Sequence, residues 1–310
     1  MDEREVERLV RLVPAWRRAD LTVHPIHGGI TNRNYRVSTA DGEYVVRVPG
    51  ERTELLGIDR RNEAEAARRA AEAGIGPQVL GELPGVGTLI VEFLEGRHLG
   101  VDELTEHLAD VVDVIHDLHA SGPLSASFPI HRVVEWHARD ATAHGITPPG
   151  AYERLHRLSR RIEQAFATSP DPLVPCHNDL LPGNVLFPVR SDDARQGRPW
   201  LLDYEYAGMN DAFFDLANLS VNIGLSADAD EELVRCYLGR VDRRSMARLG
   251  LMKVMSEFRE GMWSVVQQAI STLDTDFVAY ATERLDNAER LAGATDVESL
   301  LDDAALPLQR

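Results

Sequence analysis

The stretch CHNDLLPGNVLF, Cys176 to Phe187, and the one that follows a polar insert, WLLDYEYAGMNDAFFDLA, Trp200 to Ala217, decide how the rest of the chain is read. They hold the pair His177-x-Asp179, an amide at Asn184, and Asp203 at the end of an apolar run. A carboxylate at Asp179 can orient a hydroxyl and accept its proton. An amide oxygen at Asn184 and a carboxylate at Asp203 are the hard donors that magnesium takes. The intervening Leu180-Leu181-Pro182-Gly183 keeps the segment out of a helix and turns Asn184 back toward Asp179.

The order H-x-D-x-x-x-x-N, then an aspartate closing a strand, is that of a kinase catalytic loop and its metal aspartate. On that reading Asp179 is the base, and Asn184 and Asp203 hold Mg2+ on ATP. Taken singly, each residue has a plainer use. H-x-D is common, and an aspartate after a strand is usually a turn residue or a helix cap. The order, with the apolar runs Val185–Phe187 and Trp200–Leu202 beside it, favours catalysis. His177 has no cysteine or histidine beside it at zinc spacing, so packing or hydrogen bonding is its expected role.

Composition narrows the class. A chain of 310 residues, 44% hydrophobic and without a low-complexity tract, is globular throughout and long enough for two ordinary domains. No window approaches the roughly 18 uninterrupted apolar residues of a membrane span, and the start MDEREVERLV is charged, unlike a signal peptide. Two cysteines, Cys176 and Cys236, give no disulfide framework and suit a reducing compartment, so the expected location is cytoplasmic. A net charge of −17 repels nucleic acid and anionic lipid and leaves neither as an expected partner.

Along the chain, residues 2–19 read as an amphipathic helix that Pro14 kinks or ends. The period then changes to two. NYRVST and EYVVRV form a hairpin through Ala40-Asp41-Gly42, preceded by the turn HGGITN, in which Gly28, Gly29, Thr31 and Asn32 are candidates to cover phosphates. Arg47 on the second strand is the candidate cation for ATP and for catalysis, and Glu63, in the first turn of a helix Asp59–Ala73, is its candidate partner. The alternative for Glu63 is simple complementation of the helix dipole. Two more short strands, VLGEL and TLIVEFL, complete a small sheet across a Pro84-Gly85 turn, and the backbone of Glu92, Phe93 and Leu94 is the expected place for adenine. The lobe boundary falls here, giving residues 1–94 as a nucleotide-binding lobe and 95–310 as a catalytic and substrate lobe. The second lobe reads as helical: Val101–Ala120, Tyr152–Phe166, Asp211–Ile223, Glu231–Leu238, Arg243–Ile270 and Phe277–Leu291, with an acidic end that frays. Within it, Ser191–Arg198 reads as a surface hairpin. His116 and His119 lack a third ligand, and packing beneath the catalytic loop is expected for His119.

Taken together, GGITNRNYRV, YVVRVPG, HNDLLPGN, LDYEYAGMNDAFFDLAN and GMWSVVQQAIS resemble the choline/ethanolamine kinase family within the wider aminoglycoside-phosphotransferase-like kinases. The resemblance runs in order from about Ile26 to Leu291. It implies an α+β, two-lobed protein-kinase-like fold with a small antiparallel N-lobe sheet and a mainly helical C-lobe, and ATP with Mg2+ as cofactors. It also implies a small amino alcohol as acceptor and leaves a homodimer open. By position it makes Asp179 the base, Asn184 and Asp203 metal ligands, and Arg47, with Glu63, the strand cation. The acceptor side would hold Glu205, Asn222, Glu260, Trp263 and Tyr280. Two departures bear on the acceptor: Glu260 stands where the family has a first tryptophan of its cation cage, and Asn222 where it has a carboxylate. A carboxylate at Glu260 hydrogen-bonds an ammonium that carries N–H groups and cannot do so with a quaternary one, which favours ethanolamine-like acceptors. The other readings are a sugar- or aminoglycoside-directed phosphotransferase, against which W-S-x-V-Q speaks, and a nucleotide-binding pseudoenzyme, against which the intact Asp179, Asn184 and Asp203 speak.

Overall fold

The computed structural model describes residues 3–26, 32–50, 52–83, 87–189, 197–294 and 296–308. The chain begins with helix α1 (Glu3–Val10) and a separate 3-10 turn, Pro14–Trp16, in place of one helix over 2–19. Val13 is extended, at φ −66° and ψ 120°, as a residue before proline prefers, and that divides the two. Strands β1 (Leu21–Ile26), β2 (Asn32–Thr39), β3 (Gly42–Pro49), β4 (Val79–Leu83) and β5 (Thr88–Glu92) form one antiparallel sheet in the order β1-β2-β3-β5-β4. Strand β1 escapes the sequence pattern because it is an edge strand that carries Pro25.

Strand alternation sets which side chain meets which layer. Val46 and Val48 of β3, with Tyr35, Val37 and Ile90, pack under Val6, Val10 and Trp16. Arg47, between the two valines, therefore faces the opposite side, toward helix α2 (Arg60–Glu72). Asp59 caps α2 by accepting from the Arg61 N–H at 2.9 Å, and Gly74, at φ 73°, closes it.

Past the sheet comes the short strand β6 (Gly96–Arg97). The expected helix Val101–Ala120 is two, α3 (Val101–Glu106) and α4 (Leu108–Ala120), broken at His107, whose ring turns to Asp110 at 2.9 Å and lies against Phe187. Helix α5 (Ile130–Ala143), absent from the sequence reading, precedes α6 (Ala151–Thr168). The loop strands are β7 (Val174–Cys176), β8 (Val185–Pro188), β9 (Trp200–Leu201) and β10 (Gly208–Asn210), with β7 on β10 and β8 between β6 and β9. Residues 191–196 of the expected surface hairpin, and the Pro84-Gly85 turn, lie outside the described residues.

The remaining helices are α7 (Ala212–Ile223), α8 (Ala227–Leu238), α9 (Arg243–Ile270), α10 (Phe277–Gly293) and α11 (Val297–Ala304). Near the acidic end, Leu301 and Ala304 of α11 are buried in the core. Helix α9 is buried on nearly every face, as an axle of a helical body must be, and packs against α5, α7, α10 and α11. At Gly261 a Cβ would stand 2.7 Å from Leu285 Cγ, so the two long helices α9 and α10 meet at a position only glycine fits. Among the described residues no helix is long and apolar enough to cross a membrane.

Candidate active site

Strand β7 delivers the chain into His177-Asn178-Asp179, and helix α7 holds it there. The buried carboxylate of Asp215 accepts the His177 N–H on Oδ2 and the Asn178 N–H on Oδ1, both at 2.7 Å. His119 backs Asp215 through Nε2 at 3.0 Å and meets the Tyr237 hydroxyl through Nδ1 at 2.7 Å. Both ring nitrogens are thus engaged, and His119, Cys176 and Asp215, though clustered, form a buried support for the loop. Asn178 sits at φ 64°, its amide donating to the Tyr206 carbonyl at 3.0 Å and its oxygen accepting from Asn210 at 2.8 Å. A left-handed residue held from so many sides is strain that the surroundings stabilise. His177 is fully buried, with Nε2 2.8 Å from the Leu202 carbonyl.

The 3-10 turn Pro182–Asn184 folds Asn184 back, as the sequence reading expects, and its Nδ2 donates to the Asp179 carbonyl at 2.9 Å. That bond engages the nitrogen end of the Asn184 amide, whose other end, Oδ1, is an acceptor. The Leu202 N–H donates to the Asn184 carbonyl at 2.9 Å, which sets Asp203, at φ 66°, beside it. An amide oxygen and a carboxylate so placed fit a hard divalent cation. Asp203 also pairs with Arg47, and Arg47 lies 3.2 Å from Glu63. Burial opposes the charge on the Arg47 guanidinium, but the carboxylates of Asp203, Glu63 and Glu205 outweigh it and raise its pKa.

The other candidate residues have the following partners. Glu205, placed on the acceptor side by resemblance, accepts from Asn32 at 2.9 Å and lies 3.5 Å from Arg60, so its partners are on β2 and α2, the side of Arg47. Asn222 donates to the Leu180 carbonyl at 3.2 Å and buttresses the loop. The N–H groups of Glu92 and Phe93 are used by the Gln78 and Glu43 carbonyls, at 2.8 and 3.0 Å. Gly28, Gly29 and Thr31 lie outside the described residues; Asn32 opens β2.

Of the residues expected on the acceptor side, Glu260 and Trp263 lie on α9 and Tyr280 on α10. Tyr280 donates its hydroxyl to Glu260 Oε1 at 2.9 Å, and Trp263, 6% exposed, donates Nε1 to the Tyr206 hydroxyl at 2.8 Å and sets its ring edge-on to Phe277. Two residues that the sequence reading passed over complete the set. Arg60, in the first turn of α2, reaches Glu63 at 2.7 Å and Thr53 at 3.1 Å. Arg259 lies 3.3 Å from Asp179 Oδ1 and 2.6 Å from Glu260 Oε2. Burial, together with the charges of Glu260 and Asp203, pushes the Asp179 carboxyl up to about 7 against the pull of Arg259. Nothing in a single sequence separates these two arginines from those on the surface.

Over residues 22–249 the sequence matches the model of the phosphotransferase enzyme family. The chain belongs to the phosphotransferase enzyme family. Among its relatives, ethanolamine kinase 2 of Mus musculus is 27% identical over 308 residues, covering 89% of this chain and 78% of that protein. A choline/ethanolamine kinase family protein from Mesorhizobium loti superposes with a TM-score of 0.82 at 28% identity, covering 97% of this chain and 98% of that one. Choline kinase LicA from Streptococcus pneumoniae has the same fold, with a TM-score of 0.78 at 22% identity, covering 94% of this phosphotransferase and all of that chain, 100%. The fold of this phosphotransferase is thus protein-kinase-like, with the antiparallel sheet and the helical body as its two lobes.

Proposed function

We propose that this phosphotransferase moves the terminal phosphoryl group of ATP to the hydroxyl of a small amino alcohol of the ethanolamine or choline type. The observation that carries the reading is the position of Asp179, with Asn184 folded onto its backbone on one side and Glu260, Tyr280 and Arg259 on the other. Asn184 Oδ1 and the Asp203 carboxylate would hold Mg2+, which supplies charge neutralisation on the phosphates. Arg47, fixed by Glu63, places a cation at the same end of the site. Asp179 orients the acceptor hydroxyl and takes its proton as the new O–P bond forms. Residues 1–94 then act as the nucleotide lobe and 95–310 as the lobe that carries base and acceptor.

Glu260 supports an acceptor with N–H groups. Its two oxygens each take one donor, Tyr280 and Arg259, and a carboxylate has lone pairs for more. An ammonium N–H can therefore join them, whereas a trimethylated head group offers only contact. Incubating the purified protein with Mg-ATP and a panel of amino alcohols, sugars and aminoglycosides, and identifying the phosphorylated product by phosphorus NMR, tests the reading. Phosphoethanolamine or a close analogue is expected as the best product. Transfer only to sugar-like acceptors overturns it.

A further inference from the structure

Of the buried arginines of helix α9, Arg248 and Arg259 have similar surroundings and different partners. Arg248, fully buried, lies over the Phe166 ring at 4.2 Å and joins Asp171 at 2.9 Å, Asp211 at 3.4 Å and the Ser169 carbonyl at 2.6 Å. Those contacts tie α9 to the end of α6 and, through Asp211, to the N-cap of α7, and none of them is made to Asp179, Asn184, Asp203 or Glu260. Arg259, its side chain 2% exposed, lies over the Tyr206 ring at 4.6 Å and donates to the Asn178 carbonyl at 3.2 Å. Its Nη1 is shared between Asp179 Oδ1 and Glu260 Oε2. One planar group therefore touches the backbone of the loop, the carboxylate at its tip and the carboxylate of the acceptor wall.

We infer that Arg259 is a positioning residue for Asp179 and tunes the charge that a cationic acceptor meets, an inference that rests on Asp179 being the base. The pair with Nη1 fixes Oδ1, so the other oxygen, Oδ2, is turned to the hydroxyl without a search among rotamers. A guanidinium suits this task because its donors are held in a plane and its charge persists when buried. The second effect is electrostatic. Asp179 and Glu260 together offer a cation two negative charges, and Arg259 between them cancels one, so ground-state attraction is weakened while the base stays in place. Binding that is strong before the reaction and no stronger in the transition state does not raise turnover.

The test compares Arg259→Met and Arg259→Lys with Arg248→Met, each rate normalised to the nucleotide-binding stoichiometry so that unfolded protein does not count. Arg259→Met is expected to lower kcat by about ten- to a hundredfold, the scale of a misplaced reacting group, with the KM for ATP unchanged and the KM for ethanolamine not raised. Arg259→Lys, which keeps the charge and loses the planar fork, is expected to recover part of kcat. Arg248→Met is expected to lower thermal stability while kcat per folded molecule holds. Equal losses of normalised kcat in Arg248→Met and Arg259→Met, a raised KM for ethanolamine, or wild-type kcat in Arg259→Lys overturn the inference. If Arg259→Met does not fold, the lysine variant decides alone: an intermediate kcat supports positioning and a wild-type or absent one does not. If the unaltered protein transfers phosphate to no amino alcohol, the functional reading fails by itself. Arg259 is then judged by the same comparison on Asp179-dependent hydrolysis of ATP by water.

Discussion

At the scale of single residues, Asp179 and Asp203 are both aspartates on loop backbone, yet their surroundings assign them different work. Asp179 is half-buried, its side chain 13% exposed, paired with Arg259 and pushed up to about 7 by desolvation, whereas Asp203 is more open, at 25%, in the left-handed region, and paired with Arg47. Asp179→Asn preserves size and removes the proton acceptor, so kcat is expected to fall by about a hundred- to ten-thousandfold with ATP affinity retained by calorimetry. Asp203→Ala should do the reverse first, abolishing the magnesium dependence of nucleotide binding. Glu260→Gln keeps a partner for Tyr280 and loses the charge. It is expected to raise the KM for ethanolamine several-fold more than that for choline, and equal changes in competition assays exclude contact with the ammonium. The motif residues were legible because their chemistry demands a fixed order along the chain. Arg60 and Arg259 were not, because a buried arginine and a surface one are the same letter until the carboxylates around them are known.

At the scale of elements, sequence pattern succeeded where one face is apolar and failed where geometry interrupts the period. The β2–β3 hairpin and α9 were legible from alternation and from a long run without proline. Strand β1 was hidden by Pro25, and the break at His107 has no glycine or proline to announce it. The α9–α10 contact governs the acceptor wall, since it sets Tyr280 against Glu260. Gly261→Ala forces Leu285 aside and is expected to cost about 1–3 kcal/mol in urea unfolding, together with a raised KM for the acceptor and an unaltered one for ATP. A fully tolerated alanine there contradicts close packing of the two helices.

At the scale of the whole molecule, the switch from a two-residue to a helical period near residue 95 made the sheet-then-helices arrangement legible. The response to acid could not be read that way, because it depends on which histidines are buried. His137 and His131 are held neutral by burial, at about 3 and about 4. Unfolded histidine titrates near 6.5, so between that value and the folded ones the unfolded chain binds more protons and stability falls as pH falls. His137→Gln is expected to remove about 2 kcal/mol of the loss between pH 7 and pH 5. An unchanged pH dependence in urea titrations places the His137 ring in water.

The central claim is that Asp179 serves phosphoryl transfer to an amino alcohol. Following labelled γ-phosphate from Mg-ATP onto ethanolamine, in the unaltered protein and in Asp179→Asn at equal nucleotide occupancy, tests it most directly. The account predicts labelled phosphoethanolamine from the first and at most a hundredth as much, about that scale, from the second. Equal transfer by both proteins, or none by either while ATP is bound, contradicts it.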